Sequence, residues 1–191
     1  MFPDLDSVEF QALPFEHFLS HAGLLDGGLG WLDWLEEEAP WELTVAEFYE
    51  QYEFSLLHVS LAPALRDLIA AETLSALRNQ MHKQFGQSLS DRVDVTAHKL
   101  VSEQTIRIHN DYLPGGESHR LLLQLNRGWV PEDGGYLMFF HGPEPEMVSN
   151  VIEPISGSVQ AFAISPRSYH AVSTVHAKER LTIVYSFYPN S

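Results

Sequence analysis

Two histidines, one aspartate and one arginine carry the chemistry in this sequence. His109 and Asp111 sit two apart in IRIHND, His170 follows about sixty positions later in SPRSYHAVS, and Arg180 lies ten beyond it in ERLTIVYSFY. Two neutral imidazoles and a carboxylate make the facial set that holds non-haem Fe(II) while leaving positions open for O2 and a co-substrate. Arginine offers a planar, always-charged fork that matches a carboxylate. Together these residues point to an iron oxygenase that consumes a small keto-acid.

An H-x-D pair occurs often by chance, and its weight comes from the whole set. On a strand, residues i and i+2 point to the same face, so His109 and Asp111 can face one ion while Asn110 points away. His170 falls in SYHAVSTV, expected as a strand of the opposite half of the fold. Taken singly, His109 reads as a turn histidine and His170 as a satisfied core histidine; only their joint occurrence favours a metal. His119, His141 and His176 have no metal-like spacing with this set and read as surface residues. Ser168 and Tyr169, just before the distal histidine, read as packing. Gly134 and Gly135 read as a turn or a close backbone approach. They form no phosphate loop, since no G-x-x-x-x-G-K-[ST] pattern occurs.

The elements that must position these residues begin near residue 93. Eight β-rich runs follow at short spacing, separated by Gly, Pro, Asp and Asn: VDVTAHKLV, QTIRIHND, SHRLLLQLN, GYLMFF, MVSNVIEPI, SVQAFAIS, SYHAVSTV and RLTIVYSFY. That pattern predicts a sandwich or barrel, and eight strands is the number for a jelly roll. Before them, SLAPALRDLIAAETLSALRNQMHKQFG reads as one long helix, with Ser60 as its cap, Pro63 in its first turn and Gly86 as its stop. Leu61, Leu65, Leu68, Ala71, Leu74, Leu77 and Met81 recur at steps of three or four, the face expected to pack on a sheet. Earlier still, residues 1–65 mix apolar and acidic residues and are expected to be helical, broken at Gly27, Gly28, Gly30 and Pro40. There Trp31, Trp34, Leu35, Phe48, Tyr49, Tyr52 and Phe54 are candidates for core or for a substrate mouth. The expectation is one domain over residues 1–191, with 1–92 as a helical, acidic part and 93–188 as the jelly-roll core.

Composition narrows the function. The chain has 191 residues, 45% of them apolar, enough for a sizeable core. It has no Cys, which excludes disulfides, a thiolate nucleophile and a Cys-based zinc site. The net charge is −15, and it is uneven: residues 1–65 hold thirteen Asp and Glu and no Lys or Arg. Phosphate binding needs clustered basic residues, so the charge distribution argues against a nucleic-acid substrate. The acidic third reads as a solvated face or as a surface for a cationic partner. MFPDLDSVEF shows no basic region followed by an apolar run, and the apolar runs of the chain are short; a cytoplasmic protein with no membrane partner is the expectation.

At residues 93–188 the sequence resembles the double-stranded β-helix core of the 2-oxoglutarate/Fe(II)-dependent oxygenases, of the prolyl-hydroxylase-like kind found in small bacterial members. HND resembles the family's H-x-D, and LNRGWVPEDGGYLMFF its Leu-Asn, Trp loop and Gly-Gly. SVQAFAIS and SYHAVSTVHAKERLTIVYSFY resemble the strands around its distal histidine and arginine. The resemblance implies a mainly β fold with flanking helices, Fe(II) held by His109, Asp111 and His170, and 2-oxoglutarate and O2 as co-substrates. Arg180 would bind the distal carboxylate of 2-oxoglutarate, with Thr182 adding a hydroxyl on the same strand face. Arg120 has the strand parity of Leu122 and Gln124, expected to face the cavity. It would contact the metal-bound carboxylate of 2-oxoglutarate or a substrate carboxylate, the alternative being a salt bridge with Glu117. Asn126 is expected to fix a turn. His98 lies on a strand where relatives often place a co-substrate contact; Lys99 is the alternative, and Leu100 cannot hydrogen-bond.

The implied activity is hydroxylation of a C–H bond of an amino acid, a peptidyl residue or a small metabolite, with release of succinate and CO2. Asp111 argues against halogenation, whose enzymes lack this carboxylate; desaturation or ring closure stays open. A cupin-type metal enzyme without 2-oxoglutarate and a non-catalytic jelly-roll module are the competing readings. The oligomeric state is not readable.

Overall fold

The computed structural model describes Leu5 and residues 8–20 and 28–190. Two sheets face each other. The minor sheet has the order β6 (Ile106–His109), β11 (His170–Val172), β8 (Leu137–Phe140), β9 (Val148–Ile152). The major sheet is built on β10 (Val159–Ala163), β7 (His119–Gln124), β12 (Arg180–Pro189) and β5 (Leu89–Leu100). All eight β-rich runs of the C-terminal half are therefore strands, and together they form the expected jelly roll.

Both edges of the major sheet are extended by the N-terminal part. β1 (Glu9–Gln11) and β2 (His17–Ser20) add beside β10, while β4 (Glu50–Ser55) and β3 (Glu42–Val45) add beside β5. The expectation of a helical N-terminal part is corrected here: besides α1 (Gly28–Glu37) the described residues contribute four strands. Their strand character is masked because acidic residues, poor strand formers, recur in them, at Glu42 in ELTV and at Glu50 and Glu53 in EQYEFS. The break expected at Gly27 lies outside the described residues.

The long helix is also shorter than expected. α2 runs Ala71–Phe85, preceded by two single turns of 3-10 helix at Pro63–Leu65 and Asp67–Ile69. Ser60 caps nothing; Ala70, in an extended conformation, stands at the N-cap. Pro63 begins a 3-10 turn, where its missing N–H costs nothing. Gly86 stops the helix as expected, with φ 70° and its N–H donated to the His82 carbonyl. The apolar face survives the interruption. Leu61, Leu68, Leu77 and Met81 are buried against Val93, Val95, Leu121, Tyr185 and Phe187 on the outer face of the major sheet. Ala71 is exposed.

Strand alternation then decides what faces inward. On β7, Leu121 and Leu123 pack under the helix while Leu122 joins an inner cluster with Phe139, Phe162, Val172 and Val184. His119 shares the outer parity. It is buried against Phe85 of α2 at 4.7 Å between ring centroids, so the expectation of a surface residue is corrected; His141 and His176 are exposed as expected. Among the described residues no helix is long and apolar enough to cross a membrane.

Candidate active site

His109 ends β6, and His170 begins β11 directly across from it in register. The two histidines are thus neighbours in one sheet, which corrects the expectation that they come from opposite halves. Their ring centroids lie 4.2 Å apart. Each Nδ1 is hydrogen-bonded to a carbonyl two residues back, His109 to Arg107 and His170 to Ser168, both at 2.8 Å. With the Nδ1 protons used there, both Nε2 lone pairs turn to one point.

Asp111 completes that point by a route other than strand parity. The strand has already ended, and Asp111 takes a left-handed conformation with φ 55°, one that aspartate tolerates better than most residues. Asn110 does point away, donating to the Pro166 carbonyl and accepting from Tyr112 N–H. The Asp111 carboxylate lies 3.3 Å from His109 Nε2 and 3.1 Å from His170 Nε2. One ligand atom from each residue fits within 4.8 Å of the others. Burial would raise the Asp111 carboxyl, but the Arg120 guanidinium beside it outweighs burial and holds it well below the usual carboxylate range.

Ser168 supports this corner. It is buried, and its hydroxyl donates to the Asn110 carbonyl and accepts from Ser165 N–H, tying the two ligand-bearing segments together. Phe48, which sequence reasoning placed among core or mouth candidates, lies flat on His109.

Arg180 sits on the major sheet across the cavity from these residues. Its Nε donates to the Gly135 carbonyl and its Nη1 to Thr182 Oγ1, each at 2.8 Å. Its Nη2 is buried with no partner. Burial pushes the guanidinium down to about 10, leaving it charged at neutral pH. Thr182 relays this contact to Gln124 Oε1 at 3.0 Å. Gly135 makes room: its φ is 72°, and a Cβ there would lie 2.9 Å from Arg180 Cδ. At Gly134, with φ 69°, a Cβ would lie 2.2 Å from the Thr174 carbonyl, so the pair serves close backbone approach as read from sequence.

One cavity of about 270 Å³ joins these groups, lined among others by Phe48, Tyr49, Gln51, Glu53, His98, His109, Asp111, Arg120, His170, Arg180 and Thr182. Arg120 faces it and pairs with Asp111 and with Glu117, so the salt-bridge alternative and the cavity placement both hold. His98 lines the cavity, whereas Lys99 turns outward over Trp41 and toward Glu179. Asn126 fixes the turn, donating to the Pro154 carbonyl and accepting from Leu181 N–H.

The donor set suits a hard divalent ion with imidazole affinity, and the buried, half-partnered cation opposite suits a carboxylate. The family model for the 2OG-Fe(II) oxygenase superfamily matches residues 95–187, the stretch that holds all of these groups except the N-terminal wall. Over these residues the chain carries the core of the 2OG-Fe(II) oxygenase superfamily. It is a 2-oxoglutarate-dependent dioxygenase that uses Fe(II), 2-oxoglutarate and O2.

Solved structures share the fold of this oxygenase. A prolyl-4-hydroxylase from Pseudomonas putida superposes with a TM-score of 0.73 at 22% identity, covering 92% of this chain and 93% of that one. A 2OG-Fe(II) oxygenase family oxidoreductase from Burkholderia pseudomallei gives 0.66 at 21% identity, over 92% and 86%. A prolyl hydroxylase from Trichoplax adhaerens, in complex with a hypoxia inducible factor peptide fragment, gives 0.74 at 14% identity, over 91% and 83%. Among curated proteins no sequence matches significantly.

The sequence missed Gln51 and Glu53 on β4, which form the N-terminal wall of the site together with Phe48 and Tyr49, two of the residues read as core or mouth candidates. The available signal was the alternation in EQYEF, in which Gln51 and Glu53 share one face and Tyr52 and Phe54 the other.

Proposed function

We propose that His109, Asp111 and His170 hold the Fe(II), that Arg180 and Thr182 receive the distal carboxylate of 2-oxoglutarate, and that the oxygenase hydroxylates a C–H bond of an amino acid, a peptidyl residue or a small metabolite, releasing succinate and CO2. The carrying observation is the meeting, in one cavity, of two imidazoles with inward-facing Nε2 atoms, a carboxylate and a buried guanidinium with one free nitrogen. Residues 1–191 act as one domain in this reading.

The chain's own residues have separable tasks. Hydrogen bonds at Nδ1 fix the ring orientation of both histidines and aim each Nε2 at the metal position. Asp111 stays ionised because Arg120 compensates its burial. Arg180 and Thr182 orient the co-substrate through a fixed fork and a hydroxyl, so that its keto-acid end lies toward the metal ligands. Leu122, Leu137, Phe162, Val172 and Val184 give the cavity an apolar inner wall. When bound, the metal with 2-oxoglutarate and O2 supplies the oxidising chemistry that no side chain can.

The Asp111 carboxylate favours hydroxylation over halogenation. A cupin-type enzyme would have no use for a buried, half-satisfied arginine opposite the ligand set. A peptide or small-molecule substrate is supported by the prolyl hydroxylases of the same fold.

Anaerobic titration with Fe(II), with and without 2-oxoglutarate, tests this reading by visible absorption. A metal-to-ligand charge-transfer band that requires both components is expected, followed by succinate release in air. Bound iron without the band would sink the 2-oxoglutarate assignment.

A further inference from the structure

With iron and 2-oxoglutarate in place as proposed above, the formal charges of the cavity leave one without a counter-charge. Arg180 answers the distal carboxylate. Asp111 and the second carboxylate together balance a divalent ion. Arg120 is held by Glu117 while also touching Asp111. Glu53 is what remains. It lines the cavity from β4, and the partners of its carboxylate are uncharged: the Gln51 amide at 2.7 Å and, at 3.9 Å, the His98 ring. His98 is neutral, since burial first and then the charges of Arg120 and Arg180 push its imidazole down to about 3.

Gln51 supplies a second, independent observation. It is 3% exposed and shares the cavity face of β4 with Glu53. Its amide nitrogen is committed to Glu53 at 2.7 Å and to His98 at 3.3 Å. Its Oε1 is buried with no hydrogen-bond partner. A buried carbonyl oxygen without a donor is an unfilled acceptor, and flipping the amide would set oxygen against the Glu53 carboxylate. Gln51 and Glu53 therefore present two adjacent acceptors, one of them anionic. Tyr49 shows that this wall stands close to the metal ligands: burial, Glu53 and Asp111 all push its phenol up.

We propose that Gln51 and Glu53 recognise a primary ammonium or guanidinium group of the substrate, so that the molecule oxidised is a basic amino acid or a peptide side chain of that kind. Both acceptors need N–H donors, and the leftover charge needs a cation; a protonated amine or guanidine supplies both. The acidic N-terminal third, thirteen Asp and Glu without a Lys or Arg before Arg66, raises the local concentration of such a cation. The assignment rests on the iron and 2-oxoglutarate reading and adds the substrate's charge to it.

The test is a titration of the anaerobic Fe(II)–2-oxoglutarate complex of the full chain, read as a perturbation of its absorption band. The probes are N-acetyl-lysinamide and N-acetyl-argininamide against their neutral isosteres N-acetyl-norleucinamide and N-acetyl-citrullinamide, and against the Nζ-trimethylated lysine analogue. At least one N–H cation is expected to perturb the band at about tenfold lower concentration than its neutral isostere and than the trimethylated analogue, and Glu53→Gln is expected to erase most of that gap. Equal binding of neutral isosteres, preference for the trimethylated cation, or a Glu53→Gln protein that keeps the full preference would overturn the assignment, as would a band that no cation perturbs. The wild-type comparison stands even if the variant folds poorly. Failure to form the band at all would instead overturn the iron and 2-oxoglutarate reading, so the two failures are read apart.

Discussion

Phe48 lies flat on the imidazole of His109, with ring centroids 4.2 Å apart and an interplanar angle of 25°. Tyr49 forms a β-bridge with Ile106, and Arg107 N–H donates to the Phe48 carbonyl, so backbone pairing holds the stacked ring in place. A residue from the N-terminal part thus fixes the plane of a proposed metal ligand from the C-terminal part.

Removing that ring frees the imidazole to rotate about its Nδ1 hydrogen bond. Phe48→Ala is expected to weaken Fe(II) binding on the order of tenfold, with secondary structure kept. Competition with a chelator, alongside circular dichroism, measures it; unchanged iron affinity would make Phe48 only a wall of the cavity.

Arg180 carries the co-substrate in this reading. Arg180→Lys keeps the charge but loses the fork that reaches the Gly135 carbonyl and Thr182 at once. The Kd of 2-oxoglutarate is expected to rise about a hundredfold, while Fe(II) affinity stays within about twofold. Parallel loss of both would show a folding defect rather than a lost carboxylate contact.

Gly135 connects backbone conformation to the same site. Ala at φ 72° is strained, and its Cβ would press on the Arg180 side chain at 2.9 Å from Cδ. Gly135→Ala is expected to cost about 1–3 kcal/mol of stability and to raise the Kd of 2-oxoglutarate. Chemical denaturation and the absorption band read the two effects separately. A variant as stable as wild type with normal co-substrate binding would mean that the Gly135 turn relaxes freely.

Buried His119 makes stability depend on pH. Burial pushes its imidazole down to about 4 from an ordinary 6.5, so between these values the unfolded chain holds the extra proton and stability rises with pH. The contribution is complete above the unfolded value and is lost as pH falls toward the folded one, by up to about 1.4 kcal/mol per pH unit. His119→Phe, placed against Phe85, is expected to show a smaller drop in Tm from pH 7.5 to pH 5 than wild type. An identical drop would assign acid sensitivity elsewhere.

Local patterns in the sequence were enough for the jelly-roll strands, the inward parity of Arg120 and Leu122, the stop at Gly86 and the four residues of the proposed iron and co-substrate site. Each depends on alternation, on a backbone conformation only glycine takes easily, or on ligand chemistry written into residue type. The start of α2 was not legible, because Pro63–Ile69 keeps helical apolar spacing while adopting 3-10 turns, which share nearly the same side-chain period.

Only the tertiary structure decided that His109 and His170 pair across one sheet, that Asp111 arrives through a left-handed turn, and that β4 closes the cavity with Gln51 and Glu53. The first and the last share one physical reason. Strand pairing joins residues tens of positions apart through backbone hydrogen bonds that any sequence can make, so the choice of neighbour lies in the packing of the whole sheet and not in the residues of either strand.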